Sequence, residues 1–355
     1  MTEAPLPAPS RTAGATMDAV AERAGVSRAT VSRTLAGRVP VSDETREKVL
    51  RAVNELGYVP NLAASALAGS GGRLGSGLVG LLLRDPRTPA YGHLHSELQA
   101  ATDQAGLQLV TMVPSAGQGA SFERRALERL LGLRVSGLFV ATGVVRPEEL
   151  TPFMSVVPVI SVGRMEWNPQ IYGVSYDEEA HAGMLAAMVA ERGHRRVSVV
   201  IPGPDVSTAE HVRGTMIAAR LRDRDVDVEE IPAPTFGWIG EHSSTVIDIV
   251  RKRKVTAAMF TSDRRALHFL DLAHAAGLRV PEDVSVTGCD GILPGLGFVS
   301  LATLRLPVES VARRAAEVMH EMINSPGQVS PKHELQQGIP ISGSTLDVPR
   351  RKPRA

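Results

Sequence analysis

The sequence predicts an N-terminal all-α helix-turn-helix domain followed by an α/β core of two lobes with parallel sheets. Three observations lead to this fold class. A chain of 355 residues is too long for one compact core and suits roughly two or three domains. Residues 16–60 carry apolar side chains at helical spacing, interrupted by tight breaks. From Leu78 onward, short apolar strands alternate with amphipathic helices, as in parallel sheets that helices cover on both faces.

The composition is that of a globular chain. Hydrophobic residues make up 43% of it, the mean hydropathy is -0.01, and no run approaches the ~18 apolar residues of a membrane span. Residues 1–15 are rich in proline and alanine and lack the apolar core of a signal peptide, so we expect a disordered tail and a cytoplasmic protein. Cys289 is the only cysteine, which excludes intramolecular disulfides and cysteine metal clusters.

The stretch from Thr16 to Ala36 predicts two short helices with a tight break between them. Thr16 is the candidate N-cap of the first helix, Gly25 ends it, and Ser27 caps the second. The residues expected to face inward are Met17, Val20, Ala21, Ala24, Val26, Val31 and Leu35. The outer face of the second helix carries Arg28, Ala29, Thr30, Ser32 and Arg33. A helix-turn-helix places such a helix in the DNA major groove, although a plain helical hairpin with a solvated face has the same spacing.

A third helix is predicted after Ser42, with Val49, Val53 and Leu56 facing inward and Gly57 as its C-cap. Over residues 16–60, seven basic residues stand against six acidic ones, so bulk charge does not indicate nucleic-acid binding. The arrangement does indicate it, because two arginines lie on a helix that holds no acid. Phosphate contacts from those arginines would make binding depend on salt.

Residues 61–69 and 69–77 join this domain to the core. The first segment is too short to form a stable isolated helix, so the pattern alone favours a linker. The second is rich in glycine and is predicted to be a flexible joint. Its string GSGLVG at 75–80 matches the dinucleotide fingerprint formally, yet it precedes a strand instead of following one, and we predict no cofactor.

The core is predicted to restart its strand and helix rhythm near residue 179, which indicates two lobes with a ligand cleft at the carboxyl ends of the strands. Polar residues follow four of the strands: Asp85, Arg164, Asp263 and Asp290. Carboxylates there could bind sugar hydroxyls or a base edge, or could cap the next helix. The predicted strands are 78–83, 107–113, 137–142, 157–162, 197–201, 226–231, 256–261 and 284–288, and the predicted helices are 93–105, 121–131, 179–191, 208–222, 242–252, 264–276 and 308–323.

Several literal strings carry a family resemblance. AERAGVSRATVSR at 21–33, VSDETR at 41–46 and LGYVPN at 56–61 resemble the amino-terminal domain of the lactose-repressor (LacI/GalR) family of bacterial transcription regulators. The resemblance is ungapped from about Thr16 to Gly69. It continues more loosely through the core, at 84–91, 191–196, 261–263, 277–290 and 303–307, where it implies the type-I periplasmic-binding-protein fold.

The resemblance implies a set of DNA-binding residues. Arg28 and Ala29 stand where the family discriminates bases, and Arg28 would suit a guanine. Residues 61–69 would be a hinge helix, ordered when paired with its dimer mate on DNA, with Leu67 wedged into the minor groove. Ser65 stands where relatives often carry a long polar or basic residue, so we expect fewer backbone contacts. The complete predicted set is Thr16, Ser27, Arg28, Ala29, Thr30, Ser32, Arg33, Asn61, Ala64 and Leu67.

The resemblance also implies effector contacts in the core, and it shows one departure. Relatives usually carry a ligand-holding arginine where this chain has His211, and the nearby Arg213 is expected to point elsewhere on its helix. We therefore expect an effector less acidic than, or shaped differently from, a typical sugar, or binding that depends on pH. Trp238 could stack on a sugar or simply pack. The complete predicted set is Asp85, Tyr91, Arg164, Asp177, His211, Trp238, Asp263 and Asp290.

The implied function is that of a homodimeric repressor that binds a palindromic operator and a small, sugar-like effector. Its predicted domains are a tail at 1–15, a DNA-binding domain at 16–60, a hinge at 61–77, a core at 78–345 and a basic tail at 346–355. A solute-binding protein of a transporter would share the core fold but not the first 69 residues. An enzyme on a doubly wound sheet is a third class, yet no catalytic motif occurs. His93 and His95 are two residues apart, a spacing that disfavours a helical metal site, and no metal is predicted.

Overall fold

The computed structural model describes residues 16–36, 41–58, 77–114, 119–142, 144–233 and 241–349. The chain divides into two compact units, residues 1–73 and 74–355, and each is described here by itself. The predictions for the tail at 1–15, for Asn61, Ala64 and Leu67, for Trp238 and for 350–355 lie outside the described residues. Within the described residues, no helix is both long and apolar enough to cross a membrane.

Three helices form the first unit: α1 at Met17–Ala24, α2 at Arg28–Ala36 and α3 at Asp43–Leu56. The predicted N-caps are confirmed. The hydroxyl of Thr16 accepts from the Ala19 amide at 3.2 Å, and that of Ser27 accepts from the Thr30 amide at 3.1 Å. Gly25 follows α1 with a φ of 66°, a left-handed conformation that favours glycine and directs the chain into α2.

The core of this unit matches the predicted apolar faces except at the end of α3. Val20, Val31 and Val49 are fully buried. Leu56, predicted to face inward, is 36% exposed, so that prediction was wrong. Tyr58 covers the core in its place, because the left-handed turn at Gly57 brings the chain back and the Tyr58 amide bonds the carbonyl of Val53 at 3.0 Å.

The second unit begins with the first lobe, whose six strands are all parallel in the order β11-β5-β4-β3-β1-β2. Buried strands of Val, Leu and Ile suit a sheet covered by helices on both faces. The elements in chain order are β1 Leu78–Leu83, α4 Pro89–Gln104, β2 Gln108–Met112, α5 Ala120–Gly132, β3 Leu138–Ala141, α6 Pro147–Met154, β4 Val159–Val162 and β5 Tyr172–Tyr176.

The second lobe has a four-stranded parallel sheet in the order β7-β6-β8-β9. A short antiparallel pair, β10 and β12, lies beside β9 through the bridge between Thr287 and Ala302. The elements that follow β5 in the chain are α7 Glu178–Ala190, β6 Arg196–Pro202, α8 Thr208–Arg222, β7 Asp227–Ala233, α9 Glu241–Arg251, β8 Ala257–Phe260, α10 Asp263–Ala275, β9 Ser285–Thr287, α11 Leu296–Val299, β10 Thr303–Arg305, α12 Val308–Asn324, β11 His333–Gln336 and β12 Ile339–Ile341. Of these, α12 and β11 belong to the first lobe.

The chain passes between the lobes three times: after β5, between β10 and α12, and between β11 and β12. The predicted parallel sheets and two lobes are confirmed. The sequence pattern did not predict α6, α11, β5, β10, β11 or β12, because elements of three to eight residues show too little periodicity. The predicted start of α4 at residue 93 was four residues late. The helix begins at Pro89, because proline suits the first turn of a helix, and the apolar spacing did not show this start.

The C-terminal segment continues the second lobe further than predicted. Leu346, assigned from the sequence to a basic tail, is buried at 4% exposure. Its neighbours bond β9, because the Val286 amide donates to the carbonyl of Thr345 at 2.7 Å and the Ser285 hydroxyl donates to that of Asp347 at 3.1 Å. These contacts make residues 345–347 part of the core.

Buried histidines should make the stability of the chain depend on pH. Burial lowers the pKa of His181 and His194, and lowers that of His242 to about 4. As the pH falls below about 6.5, the unfolded chain binds protons that the folded chain does not, so the stability present above pH 6.5 is lost. For His242 alone we expect the free energy of unfolding in urea to fall by about 2 kcal/mol between pH 7 and pH 5.

A His242→Gln variant should remove this part of the pH dependence. A His320→Gln variant, at an exposed position on α12, should leave it unchanged. Equal pH dependence in the wild-type chain and in His242→Gln would contradict the assignment.

Candidate functional site

The exposed face of α2 is the first candidate site. Arg28, Ala29, Ser32 and Arg33 are exposed, while Thr30 is half-buried and hydrogen-bonds the Ser27 hydroxyl at 2.8 Å. Thr16 and Ser27 are both N-caps, so their side chains also set the geometry of the two helices. This surface combines two arginines, a hydroxyl and a methyl group on one short helix. Such groups can bind phosphates and read base edges.

The two arginines of α2 are held only loosely. Arg28 contacts Asp18 of α1 at 3.4 Å, and both side chains are more than 60% exposed. An exposed ion pair of this kind contributes roughly 0–1 kcal/mol, so it is easily exchanged for another partner. Arg33 donates from Nε to the carbonyl of Ala29 at 3.2 Å. Both guanidinium groups are therefore available to a ligand at this face.

The second candidate site is a cavity of about 200 Å³ between the two lobes. The loops after β3 and β4 form its first-lobe side, and the first turns of α7 and α8 form the other. Arg84 bridges the lobes nearby, donating from Nη2 to the carbonyls of Asp205 at 3.2 Å and Val206 at 2.9 Å. The lining residues are Val145, Arg146, Pro147, Arg164, Met165, Trp167, Glu178, Thr208, Ala209 and Val212.

Arg164 is the one member of the predicted effector set that lines this cavity, among the residues the structure describes. Its guanidinium donates to the Ser161 hydroxyl at 2.9 Å, to the carbonyls of Thr142 and Val145 at 2.8 and 2.9 Å, and to Glu166 at 2.9 Å. Four fixed bonds make Arg164 a support for the loop after β3 as well as part of the wall.

Glu123 of α5 holds the same loop from behind. Its carboxylate accepts from the Val145 amide at 2.7 Å and from the Thr142 hydroxyl. The side chain is buried, and burial raises its pKa. Glu123 was not among the predicted site residues, although an acid on the apolar side of α5, beside Ala126, Leu127 and Leu130, is a detectable signal in the sequence.

Arg213 lies at the centre of a buried charge cluster below the cavity. It donates from Nε and Nη2 to the two carboxylate oxygens of Glu178, at 2.9 and 2.8 Å. Nη1 donates to the carbonyl of Thr261 at 2.8 Å and contacts Asp290 at 3.4 Å. A planar guanidinium suits this bidentate geometry.

Arg213 points into this cluster and does not line the cavity, so the expectation that it points away from a bound ligand stays a prediction. Gly214 lets α8 approach the sheet closely, since a Cβ added there would lie 3.0 Å from Ile201 and Thr261. That close approach directs Arg213 toward the ends of the strands. His211 bonds the carbonyl of Pro202 through Nδ1 at 2.8 Å.

Asp263 and Asp290 lie together at this edge, as the strand pattern predicted, but both are engaged by the protein. Asp263 accepts from the Gly291 amide at 2.6 Å and the Thr303 hydroxyl at 2.5 Å. It is fully buried, and burial raises its pKa. Neither carboxylate lines the cavity, so a direct contact with an effector stays a prediction.

The remaining predicted contacts are dispersed. Asp85 accepts a bidentate pair from Arg87 at 3.0 and 3.1 Å. Asp177 caps α7 by accepting from the Ala180 amide at 3.0 Å. Tyr91 lies half-buried on α4 against the first-lobe core. Trp167, which the sequence pattern did not single out, lines the cavity and is 59% exposed.

Metal-binding side chains do not gather in the described part of the chain, where no group of three or more His, Cys, Asp or Glu could hold an ion. His93 and His95 both lie on α4. His93 bonds Glu309 at 3.1 Å, and His95 bonds the Thr111 hydroxyl at 3.0 Å.

Comparison with protein families finds two matching regions. The family described as "Bacterial regulatory proteins, lacI family" matches residues 16–61, and the "Periplasmic binding protein-like domain" matches residues 186–345. The first covers the helices α1 to α3, and the second covers most of the second lobe and the last two of the three crossings.

Similar curated proteins extend over nearly the whole chain. The HTH-type transcriptional regulator GalS of Salmonella typhimurium is 29% identical over 303 residues, covering 84% of this chain and 87% of its own. The ribose operon repressor of Lactococcus lactis is 26% identical over 321 residues, covering 90% and 94%. Both of these similar proteins carry regulatory names.

Solved structures show the same arrangement of folds. The Lac repressor dimer bound to operator and the anti-inducer ONPF matches with a TM-score of 0.79 at 22% identity, covering 94% of this chain and 99% of that one. The complex of the transcriptional regulator CelR with cellobiose matches with a TM-score of 0.60 at 25% identity, covering 93% and 99%.

Proposed function

This chain belongs to the LacI/GalR family of bacterial transcriptional regulators, and we propose that it is a sequence-specific DNA-binding repressor controlled by a small molecule. The observation that carries the proposal is the exposed face of α2, with Arg28, Ala29, Ser32 and Arg33 on a capped helix-turn-helix unit. A recognition helix of this kind reads base edges in the major groove while its neighbours contact phosphates.

The proposed DNA complex contains two copies of the chain on a palindromic site. Arg28 would donate two hydrogen bonds to a guanine, and Ala29 would contact an apolar group such as a thymine methyl. By family resemblance, Asn61, Ala64 and Leu67 would form a hinge that enters the minor groove, with Leu67 as the wedge. A two-fold dimer requires two half-sites, which is why the operator is expected to be a palindrome.

The proposed effector site is the cavity between the lobes. Relatives include a ribose operon repressor and a regulator solved with cellobiose, which supports a carbohydrate as the effector. A ligand there would contact both lobes, so its binding free energy would differ between lobe arrangements. That difference, typically 1–3 kcal/mol, is what couples a ligand site to a distant DNA site.

The two alternatives are weaker. A solute-binding protein of a transporter has no use for a capped helix-turn-helix unit, and the relatives named above are regulators. An enzyme would need reacting groups at the cavity, yet the one carboxylate that lines it, Glu178, is bonded to Arg213, and Arg164 is bonded to Glu166. We propose no catalytic residues.

Selection of binding sites from random duplex DNA tests the DNA-binding proposal. We expect a palindrome with two half-sites about one helical turn apart, and the Leu67→Ser variant should bind this palindrome more weakly. If a palindrome is selected but the substitution does not weaken its binding, the proposal that α2 is the recognition helix stands and the proposed role of Leu67 as a wedge is wrong. Failure to enrich any sequence would overturn the proposed function.

The effector proposal predicts a large effect of Arg164→Lys. Lysine keeps the charge but loses the fork that bonds Ser161, Thr142, Val145 and Glu166, so the wall of the cavity loosens. We expect the effector concentration needed for half-maximal release of DNA to rise by about 10- to 100-fold. Operator affinity without effector should stay unchanged.

Arg125→Lys is the matched control for this measurement. Arg125 lies on α5, is exposed, bonds the carbonyl of Ser121 through Nε at 3.3 Å and lies 4.3 Å from the centre of the Phe122 ring, away from the cavity lining. An equal effect of the two substitutions would contradict a role for Arg164 in the site.

A further inference from the structure

The carboxylates at the cavity and in the charge cluster below it are already bonded inside this protein. Both oxygens of Glu178 accept from Arg213, and Asp263 accepts from Gly291 and Thr303. A carboxylate that has its own guanidinium or amide partners gains little by exchanging them for a sugar hydroxyl. The usual acceptors for an uncharged sugar are thus largely engaged in this chain.

The surface that remains for a ligand is mostly apolar, with the guanidinium of Arg146 as a hydrogen-bond donor. Val145, Pro147, Met165, Ala209 and Val212 supply the apolar part of the lining. Trp167 lies at the same cavity with 59% of its surface exposed, so its ring can receive the face of a sugar. Carbon-bound hydrogens of a sugar ring pack well against an aromatic face, because one side of the ring is apolar.

Arg146 is the charged lining residue with the weakest protein partner. The other two charged lining residues are buried and paired. Glu178 is 4% exposed and bonds Arg213, and Arg164 is 10% exposed and bonds Glu166. Arg146 is 79% exposed and lies 3.8 Å from Glu149, a distance at which an exposed pair contributes little. Its guanidinium can therefore turn toward an anion in the cavity without breaking a strong bond.

The start of α8 adds partial positive charge to the wall, and the one carboxylate of the lining, Glu178, is paired with Arg213. Thr208 and Ala209 are the first residues of α8, a helix of 15 residues, and they line the cavity. The amide groups at a helix start carry partial positive charge, which agrees with the sign of Arg146. The volume of about 200 Å³ suits a single ring, since an apolar cavity of ~150 Å³ holds one benzene.

We propose that the effector is an acidic monosaccharide, with its ring stacked on Trp167 and its carboxylate or phosphate bound by Arg146. This inference rests on the proposed function, because it names the ligand class of the same cavity. It differs from the expectation of a less acidic ligand, which was based on the loss of an arginine at position 211. The cation is supplied from the first lobe instead.

The test measures binding of matched sugars to the full chain by calorimetry. The probes are D-glucose, D-glucuronate and D-glucose 6-phosphate, and the corresponding galactose and mannose series. In at least one series an acidic sugar is expected to bind about 10- to 100-fold more tightly than its neutral parent, as a charge-assisted hydrogen bond would provide. The uronate and phosphate arms decide which anion is preferred.

Three variants assign the contacts. Arg146→Gln should weaken the acidic sugar by about 10- to 100-fold and leave the neutral parent unchanged. Trp167→Ala should weaken both sugars by a similar factor. Arg124→Gln is the control, because Arg124 is an exposed arginine on α5 that lies 3.9 Å from Glu128 and does not line the cavity.

The inference is overturned if neutral sugars bind as tightly as their acidic counterparts, if no acidic sugar binds, or if Arg146→Gln behaves like Arg124→Gln. Operator binding in the presence of each sugar separates this failure from failure of the proposed function. A neutral sugar that releases the operator would retain the proposed function and remove the inference. An acidic sugar that binds without changing operator affinity would support the assigned ligand class and contradict the proposed control of DNA binding.

Discussion

Replacing Arg28 by alanine is expected to weaken binding of the palindromic operator by about 30- to 20,000-fold. A bidentate contact to guanine contributes about 1–3 kcal/mol of discrimination, and a dimer makes it twice, once in each half-site. Arg28 can make that contact because its ion pair with Asp18, at 3.4 Å, is exposed and weak. Fluorescence anisotropy with labelled operator and half-site duplexes measures the effect.

The size of the loss distinguishes base readout from simple attraction to phosphate. Arg23→Ala removes the same charge from α1, where Arg23 bonds Glu55 at 2.7 Å, and is expected to weaken all duplexes equally and only slightly. Loss of specificity at one base pair in each half-site should accompany Arg28→Ala. A uniform loss on every sequence would make Arg28 a phosphate contact instead.

Replacing Arg213 by alanine is expected to lower the free energy of unfolding of the core by about 3–5 kcal/mol. The substitution leaves Glu178 buried without its bidentate partner, close to Asp290, with which Arg213 also makes contact. Removing one member of a buried ion pair costs more than the pair contributes, because an uncompensated charge remains. Urea unfolding followed by circular dichroism measures the loss.

Two further variants separate this cause from a loss of packing. Arg213→Met combined with Glu178→Leu removes both charges and should regain a large part of the loss, since apolar pairs of similar volume often replace buried ion pairs without cost. Arg220 lies on the same helix and its side chain is 38% exposed. The Arg220→Ala substitution should change the free energy of unfolding by less than about 1 kcal/mol. A double variant no more stable than Arg213→Ala would indicate that packing dominates.

The sequence by itself determined the features that depend on neighbours along the chain. Caps such as Ser27 bond an amide three residues away, and helical spacing shows which side of a short segment is apolar. The three helices of the first unit, the two lobes and their parallel sheets were therefore predictable. The candidate recognition face on α2 was predictable for the same reason, because all its residues belong to one helix.

Only the tertiary structure decided which distant side chains meet. Arg213 and Glu178 are 35 positions apart, and their pairing depends on how closely Gly214 lets α8 approach the sheet. Trp167, Arg146 and Val212 come from three elements that no local pattern brings together. Side-chain partners of this kind are set by packing between elements. The sequence can therefore predict a carboxylate at the end of a strand, but it cannot predict which protein group bonds that carboxylate.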